Sequence, residues 1–336
     1  MFNTNFKRVL AFLLCALCIL SFAACDKIGD TDVSDKDDSV TVEPKADDVI
    51  ISLGEHSANY EVFRYFYLNI KSSIDGGYEE YWSEYPEDAQ ALLDNAFLST
   101  KQYCAIKNLA DELGIVVTEE DQAELDDIFN QNIEAFGSEE AFIEALEANH
   151  MSLDFFKDFN RVSFLSQRIY DVIVENDPDI FENKVKDMLN SDEYVRAMHI
   201  LYADEATAQA VLEQAKNATD EEFYELAQSA EDSGMVGNTS GYLFTKGEMI
   251  AEFEEAAFAL KDGETSGLVK TTYGYHIIRR LEKAKFLEEN FDADVSPYAD
   301  YIYNAYYDYI DDYIEEKSDS FVISEIGKSL NMDNIK

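Results

Sequence analysis

A chain of 336 residues is long for one hydrophobic core and predicts two domains with appendages, and its 46% apolar and 13% aromatic content excludes wholesale disorder. Its 70 acidic residues against 26 basic ones leave a formal charge of −44. Such a chain is repelled by phosphate backbones and has no counterion release to gain there, so nucleic acid is excluded as a partner.

The chain opens on a processing signal. Lys7 and Arg8 precede an apolar run from Val9 to Phe22, about the length of a secretory signal core. The run ends in 21-SFAAC-25, small residues followed by cysteine. That ending resembles the lipobox of bacterial lipoproteins, with Phe22 where an aliphatic residue is usual. The resemblance implies that residues 1–24 are a signal peptide and that Cys25 is acylated and becomes the mature N-terminus. An uncleaved anchor or an ordinary signal peptide is the competing reading. Cys15 and Cys18 lie in the removed segment, so Cys104 is the one cysteine left beside Cys25, and no internal disulfide is expected. Its helical surroundings make Cys104 a small core residue.

Residues 25–48 are polar and acidic and read as a flexible tether. A short β run ending at Gly54 opens a helical region over 49–192. Ser57 or Asn59 caps a helix that carries Val62, Phe63, Phe66, Tyr67 and Ile70 on one broad face. A long helix follows Pro86 and stops near Gly114. Thr118 with Asp121 forms a capping-box pattern. Ser138 and Ser152 open two more helices, the second reaching Val174 before Asn176-Asp177-Pro178 breaks it.

From Tyr194 the pattern becomes mixed. Val195–Leu201 reads as a strand and Asp204–Lys216 as an amphipathic helix. Asp220 caps a second helix, 221-EEFYELAQSA-230. Then come 242-YLF-244, a helix over 248-EMIAEFEEAAFAL-260 and a final strand, 275-YHIIRRL-281. The order is β–α–α–β–α–β, an α+β domain over 193–284. Residues 285–336 return to helix, with seven tyrosines between Tyr298 and Tyr313, and Phe321–Ile326 adds a candidate strand. A tail this short does not fold alone and is expected to pack on the helical region, which makes the α+β domain an insert. Its tyrosines serve either that packing or contact with unfolded chains.

Chemistry concentrates on two histidines. His199 lies on the first strand of the α+β domain and His276 on the last, and such strands are often neighbours in a small antiparallel sheet. A lone histidine on an apolar strand is usually structural; two on adjacent strands make a candidate site. His56 and His150 show no metal-ligand spacing, and neither a metal nor a cofactor is expected.

Residues 194–284 resemble a parvulin domain, the PpiC-type peptidyl-prolyl isomerase fold. The resemblance rests on 196-RAMHIL-201, on Phe223 with Leu226-Ala227, on 246-KGEMIAEFEEAAFAL-260 and on 273-YGYHIIRRLEK-283. With the lipoprotein signal and helical flanks, the whole chain is similar to PrsA-type foldases and, more distantly, to SurA. The resemblance implies a parvulin-like insert in an all-helical SurA/PrsA-like chaperone domain. It also implies catalytic roles for His199, Asp232 and His276, with Glu231 an alternative to Asp232 in a loop one residue shorter than usual. Met249 and Phe253, at helical i,i+4 spacing, would line a proline cup with Phe244 and with Leu243 or Tyr242, and Thr271 would join the histidines. The acidic 202-YADE-205 argues against phospho-Ser/Thr-Pro specificity.

The expected protein is thus an extracytoplasmic isomerase and foldase, anchored through Cys25 to the outer face of a Gram-positive cytoplasmic membrane. Its partners would be unfolded or newly secreted chains with Xaa-Pro bonds, and the resemblance admits a homodimer. The alternative, favoured by the altered 231–243 loop, is a holdase that binds unfolded chains without catalysis. A solute-binding lipoprotein fits poorly, because two α/β lobes and a hinge are missing.

Overall fold

A computed structural model describes residues 43–78, 80–230, 238, 240–292 and 298–335. Its first sheet starts with β1 (Val49–Leu53), which turns at Gly54 into β2 (His56–Asn59). Gly54 has φ +59°, and a Cβ there would stand 2.8 Å from Asn108 Oδ1, so glycine fits this turn on both counts. On its other side β1 pairs antiparallel with β7 (Phe321–Ile323), Ile51 opposite Ile323. The strand expected near Phe321 is therefore present, cut short by α13 (Glu325–Lys328).

Asn59 Oδ1 accepts from Val62 N at 3.2 Å and starts α1 (Tyr60–Asp75). Then come α2 (Tyr81–Glu84), α3 (Asp88–Glu112), α4 (Glu119–Phe136), α5 (Glu139–Ala148) and α6 (Leu153–Asn176). The caps follow the sequence: Thr118 and Asp121 form a reciprocal capping box, and the Ser138 and Ser152 hydroxyls accept from the third residue on. Ile50, Phe63, Tyr67, Leu92, Ala96, Leu330 and Ile335 join strand, helices and C-terminal tail in one core. Each large side chain buried there contributes roughly 1.5–3 kcal/mol.

Two compact units divide the chain. Among the described residues, one takes those up to Pro178 and from Tyr306 onward, the other those between Asp179 and Ala305. The second is wider than the 193–284 expected, because α7 (Ile180–Asn190) packs on β3 (Tyr194–Tyr202) and α11 (Ala284–Asn290) packs on α7. The tail after Lys285 is shared: α12 (Tyr298–Glu316) spans the limit, and from Tyr306 its residues belong to the first unit. There the Tyr306 hydroxyl is buried and bonds both Ser166 Oγ and Ser166 O at 2.8 Å.

The second unit is built on a four-stranded antiparallel sheet, order β4-β3-β6-β5, from β3, β4 (Tyr242–Thr245), β5 (Val269–Thr271) and β6 (Gly274–Leu281). Between strands run α8 (Glu205–Asn217), α9 (Asp220–Gln228) and α10 (Ala251–Ala259). Three details depart from the sequence reading. Thr219, not Asp220, caps α9, in a capping box with Glu222. The helix α10 starts at Ala251 rather than Glu248. The strand β5 is an addition, three residues long and too short to show a period, which makes the order β–α–α–β–α–β–β.

Alternation divides this sheet cleanly. Met198, Ile200, Ile277 and Leu281 face Leu212, Ala215, Phe223 and Ala227 from α8 and α9. Val195, Ala197 and Ile278 share the other face with Phe244, Phe253 and Ala257. Lys283 closes the base of the sheet: its ammonium is buried and donates to Ser191 O and Tyr194 O. Burial pushes its pKa down, and the two carbonyls still need its donors.

Replacing Lys283 with Met should leave those two carbonyls unpartnered and destabilise the second unit by about 2–4 kcal/mol, read as a lower urea midpoint. An unchanged midpoint would mean that water serves them equally well. In the first unit Asp75 is buried and accepts from Lys71 Nζ at 2.6 Å, Trp82 Nε1 at 2.7 Å and Gly77 N at 2.8 Å. Burial pushes its carboxyl up, but these donors outweigh burial and hold it below the usual range. Its stabilisation is then complete above the unfolded carboxyl pKa of about 3.9 and lost only as pH falls through the lower folded value. Trp82 is the single tryptophan, so its fluorescence should stay flat from pH 7 to about 4 and change below. In Asp75→Asn that acid step should vanish.

Candidate active site

The register of β3 against β6 decides this site. His199 lies opposite Ile278 and His276 opposite Leu201, so the two histidines are diagonal neighbours on one face. Their rings are nearly parallel, 13° apart with centroids at 5.1 Å, and their Nδ1 atoms are 2.9 Å apart. Both side chains are buried, on the face that packs against α10. Phe253, in the first turn of α10, sets its ring edge-on to both imidazoles, at 5.3 Å from His199 and 5.5 Å from His276. Phe244 adds a ring 6.0 Å from Phe253.

The hairpin β5–β6 supplies the next link. Thr271 Oγ1 is 2.8 Å from His276 Nε2 and also accepts from Tyr273 N at 3.1 Å. Gly274 makes this hairpin possible: its φ is +140°, and a Cβ would meet Tyr202 O at 2.5 Å. The hydrogen-bonded chain thus runs Tyr273 N, Thr271 Oγ1, His276, His199.

One proton must sit between the two Nδ1 atoms, since each neutral imidazole carries one donor and one acceptor. Two arrangements satisfy every link. In one, Thr271 donates to His276 Nε2 and His276 Nδ1 donates to His199. In the other, His199 Nδ1 donates to His276 and His276 Nε2 donates to Thr271. Moving between them reverses the polarity of the chain without moving a heavy atom. A second proton on both rings would oppose two N–H groups at 2.9 Å and break the contact.

His199, His276, Thr271, Phe244 and Phe253 come together as one cluster, and Met249 packs half-buried against it. Met249 does so from the turn ahead of α10, not from a shared helix face, because the helix begins two residues later. Leu243 is a correction. It pairs with Arg196 on β3, and the strand's alternation turns it to the opposite face. Tyr242 pairs with Ala197, faces the site and brings its ring within 5.9 Å of His199. The signal was available: with Phe244 assigned to the site, a period of two puts Tyr242 beside it and Leu243 outside. Gly274 and the Tyr273 amide were missed, for want of any expected β5. Asp232, Glu231 and Cys25 lie outside the described residues. Among the described residues, no group of three His, Cys, Asp or Glu side chains is placed to hold a metal ion.

Residues 201–282 match the rotamase family model described as the PPIC-type PPIASE domain. They form a PPIC-type rotamase domain. The match takes in Thr271 and His276 and begins two residues after His199 on the same strand. Among curated proteins, the chain is 49% identical over 94 residues to Foldase protein PrsA of Geobacillus kaustophilus, covering 27% of this chain and 32% of that one. It is 33% identical over 150 residues to Foldase protein PrsA 1 of Listeria innocua, covering 44% and 49% respectively. The chain thus spans at most about half the length of these curated relatives. Among solved structures, the parvuline of Nitrosopumilus maritimus is 37% identical, with 26% of this chain and 96% of that one covered and a TM-score of 0.24.

Within the rotamase domain, Thr271→Val keeps the side-chain shape and removes the hydroxyl that links Tyr273 N to His276. It should cost about 1–3 kcal/mol, speed amide exchange at Tyr273 and shift the imidazole nitrogen resonances of both histidines. Unmoved resonances would show that Thr271 plays no part in setting the tautomer.

Proposed function

We propose that the chain is a lipid-anchored, extracytoplasmic peptidyl-prolyl cis–trans isomerase and foldase acting on secreted proteins with Xaa-Pro bonds. The observation that carries this reading is the Thr271–His276–His199 chain, walled by Phe253 and Phe244, within a domain that matches the rotamase family. Further support comes from curated relatives that are foldases, and from the signal ending in Cys25.

The reaction breaks no covalent bond. Its barrier, about 18–20 kcal/mol, is the loss of amide conjugation in the twisted state. A catalyst must therefore bind the twisted amide better than the planar one. Phe253, Phe244 and Met249 offer an apolar wall for the pyrrolidine ring. A proline nitrogen has no hydrogen, so burying the ring strands no donor. The histidine chain lets the polar side of the site adjust by switching both tautomers: the shared proton passes from His276 Nδ1 to His199 Nδ1 while His199 Nε2 gives up a proton and His276 Nε2 gains one, so both rings stay neutral. We assign Asp232 the place beside the carbonyl, where negative charge disfavours the charge-separated planar form. Tyr242 near His199, in place of a smaller apolar residue, favours the second reading, a holdase that binds Xaa-Pro segments without turning them over.

The test is isomerisation of a short Xaa-Pro peptide together with refolding of a protein limited by proline. The mature chain should accelerate both, and His199→Ala should lower kcat/KM tenfold or more, about 1.4 kcal/mol of transition-state stabilisation. Phe253→Ala should raise KM. Aggregation suppressed with no acceleration of either reaction would leave the holdase reading in possession. In cells, Cys25→Ala should move the protein from membrane to medium; unchanged anchoring would remove the lipid from the account.

A further inference from the structure

The first unit carries an aromatic surface that none of the chemistry above uses. Among the described residues, few large apolar side chains are strongly exposed, and Tyr78 at 50% and Tyr85 at 46% are two of them, seven positions apart. Tyr81 and Trp82 of α2 lie between them. The Tyr81 ring stands 4.8 Å from Tyr85 at 35° and 5.1 Å from Trp82 at 73°. The polar ends of three rings are tied down: Tyr78 Oη donates to Glu84, Tyr81 Oη to Asp88 at 2.5 Å and Trp82 Nε1 to Asp75. Trp82 is half-buried against the core of the unit, so the rings are held in a set arrangement and contact with their exposed parts costs little further side-chain entropy.

The charge around the rings narrows the occupant. Glu80, Glu84 and Glu87 are exposed on the same segment, and none of them makes an ion pair among the described residues. Lys71 lies over Trp82 at 5.7 Å with its ammonium spent on Asp75. An occupant therefore presents flat apolar rings, few unsatisfied donors and a positive charge. A basic segment in the polyproline II conformation meets all three requirements. Its prolines lack N–H groups, its backbone is ordered before binding, and arginine or lysine beside the prolines answers the carboxylates.

We infer that Tyr78, Tyr81, Trp82 and Tyr85 form a second proline-binding surface, outside the rotamase domain, that holds extended basic, proline-containing segments without isomerising them. The inference rests on the proposed function only in the kind of client it expects. For a tethered client, two weak sites on one chain raise the local concentration at the isomerase.

Trp82 reports on this surface directly. The full mature chain is titrated with a ten-residue peptide that repeats proline every third position between two arginines, and Trp82 emission is followed. A saturable change is expected, weakening with added salt. Tyr85→Ala, at an exposed position, should raise Kd at least threefold, and Tyr81→Ala with Tyr85→Ala at least tenfold. Glu84→Gln with Glu87→Gln should flatten the salt dependence. All these variants should isomerise a four-residue Xaa-Pro substrate at the parent rate, so loss of this surface and loss of isomerase activity are separable. Far-ultraviolet circular dichroism checks that the helices persist; if the double variant unfolds, Tyr85→Ala alone decides. The proposal is overturned if Trp82 does not respond, or if a peptide with every proline changed to alanine binds as tightly. Saturation of Trp82 by a neutral N-acetylglucosamine oligomer in place of the peptide would overturn it equally.

Discussion

Two buried imidazoles 2.9 Å apart can share only one proton, and the rotamase domain is organised around keeping them so. The contact exists because β3 and β6 are neighbours in one register, which makes His199 and His276 diagonal on the same face. Shifting that register by one residue would turn one histidine into the α8–α9 core. Gly274 holds the β5–β6 hairpin against the end of β3, and that hairpin brings Thr271 to His276. Phe253 packs nearly perpendicular to both rings, at 5.3 Å from His199 and 5.5 Å from His276. Polar atoms buried this deeply cost free energy when unpartnered, so the chain of hydrogen bonds stabilises the fold of the domain as well as ordering the site.

Charge composition explains a second regularity. With so few cations for so many carboxylates, several basic groups are used as internal ties. Lys283 joins the loop before β3 to the end of β6. Arg196 bonds Ser240 O and Glu282 O while lying 3.7 Å over the Phe286 ring. Arg279, nearly buried, reaches Asp220 and Thr265. In the first unit Arg168 ties α6 to the capping box of α4 through Asp121. Such ties work through charge-assisted hydrogen bonds rather than net attraction, and salt weakens them less than it weakens surface pairs.

The first unit is closed by residues far apart in sequence. β7 adds to β1, Gly327 packs beneath Ile50, and Leu330 and Ile335 fill the core that α1 and α3 begin. A Cβ on Gly327 would stand 2.7 Å from Ile50 O, so the close approach of the C-terminal turn needs a glycine. This closure is non-local, and it places the loop-closure entropy of the whole second unit between the two halves of the first.

Much of this was written in the sequence. Caps at Thr118, Ser138 and Ser152 are local hydrogen-bond chemistry, carried by a few adjacent residues. The α+β class, the strand positions of His199 and His276 and the apolar character of Phe244 and Phe253 follow from periodicity and composition. What depended on tertiary structure was which atoms meet. The placement of Leu243 and Tyr242 turned on strand parity, and β5 was too short to leave a period. The position of Met249 depended on where α10 starts, and the partnership of Thr271 with His276 on the Gly274 turn. Local propensity fixes which elements form; register and parity, set by the packing of distant strands, decide which side chains share a face.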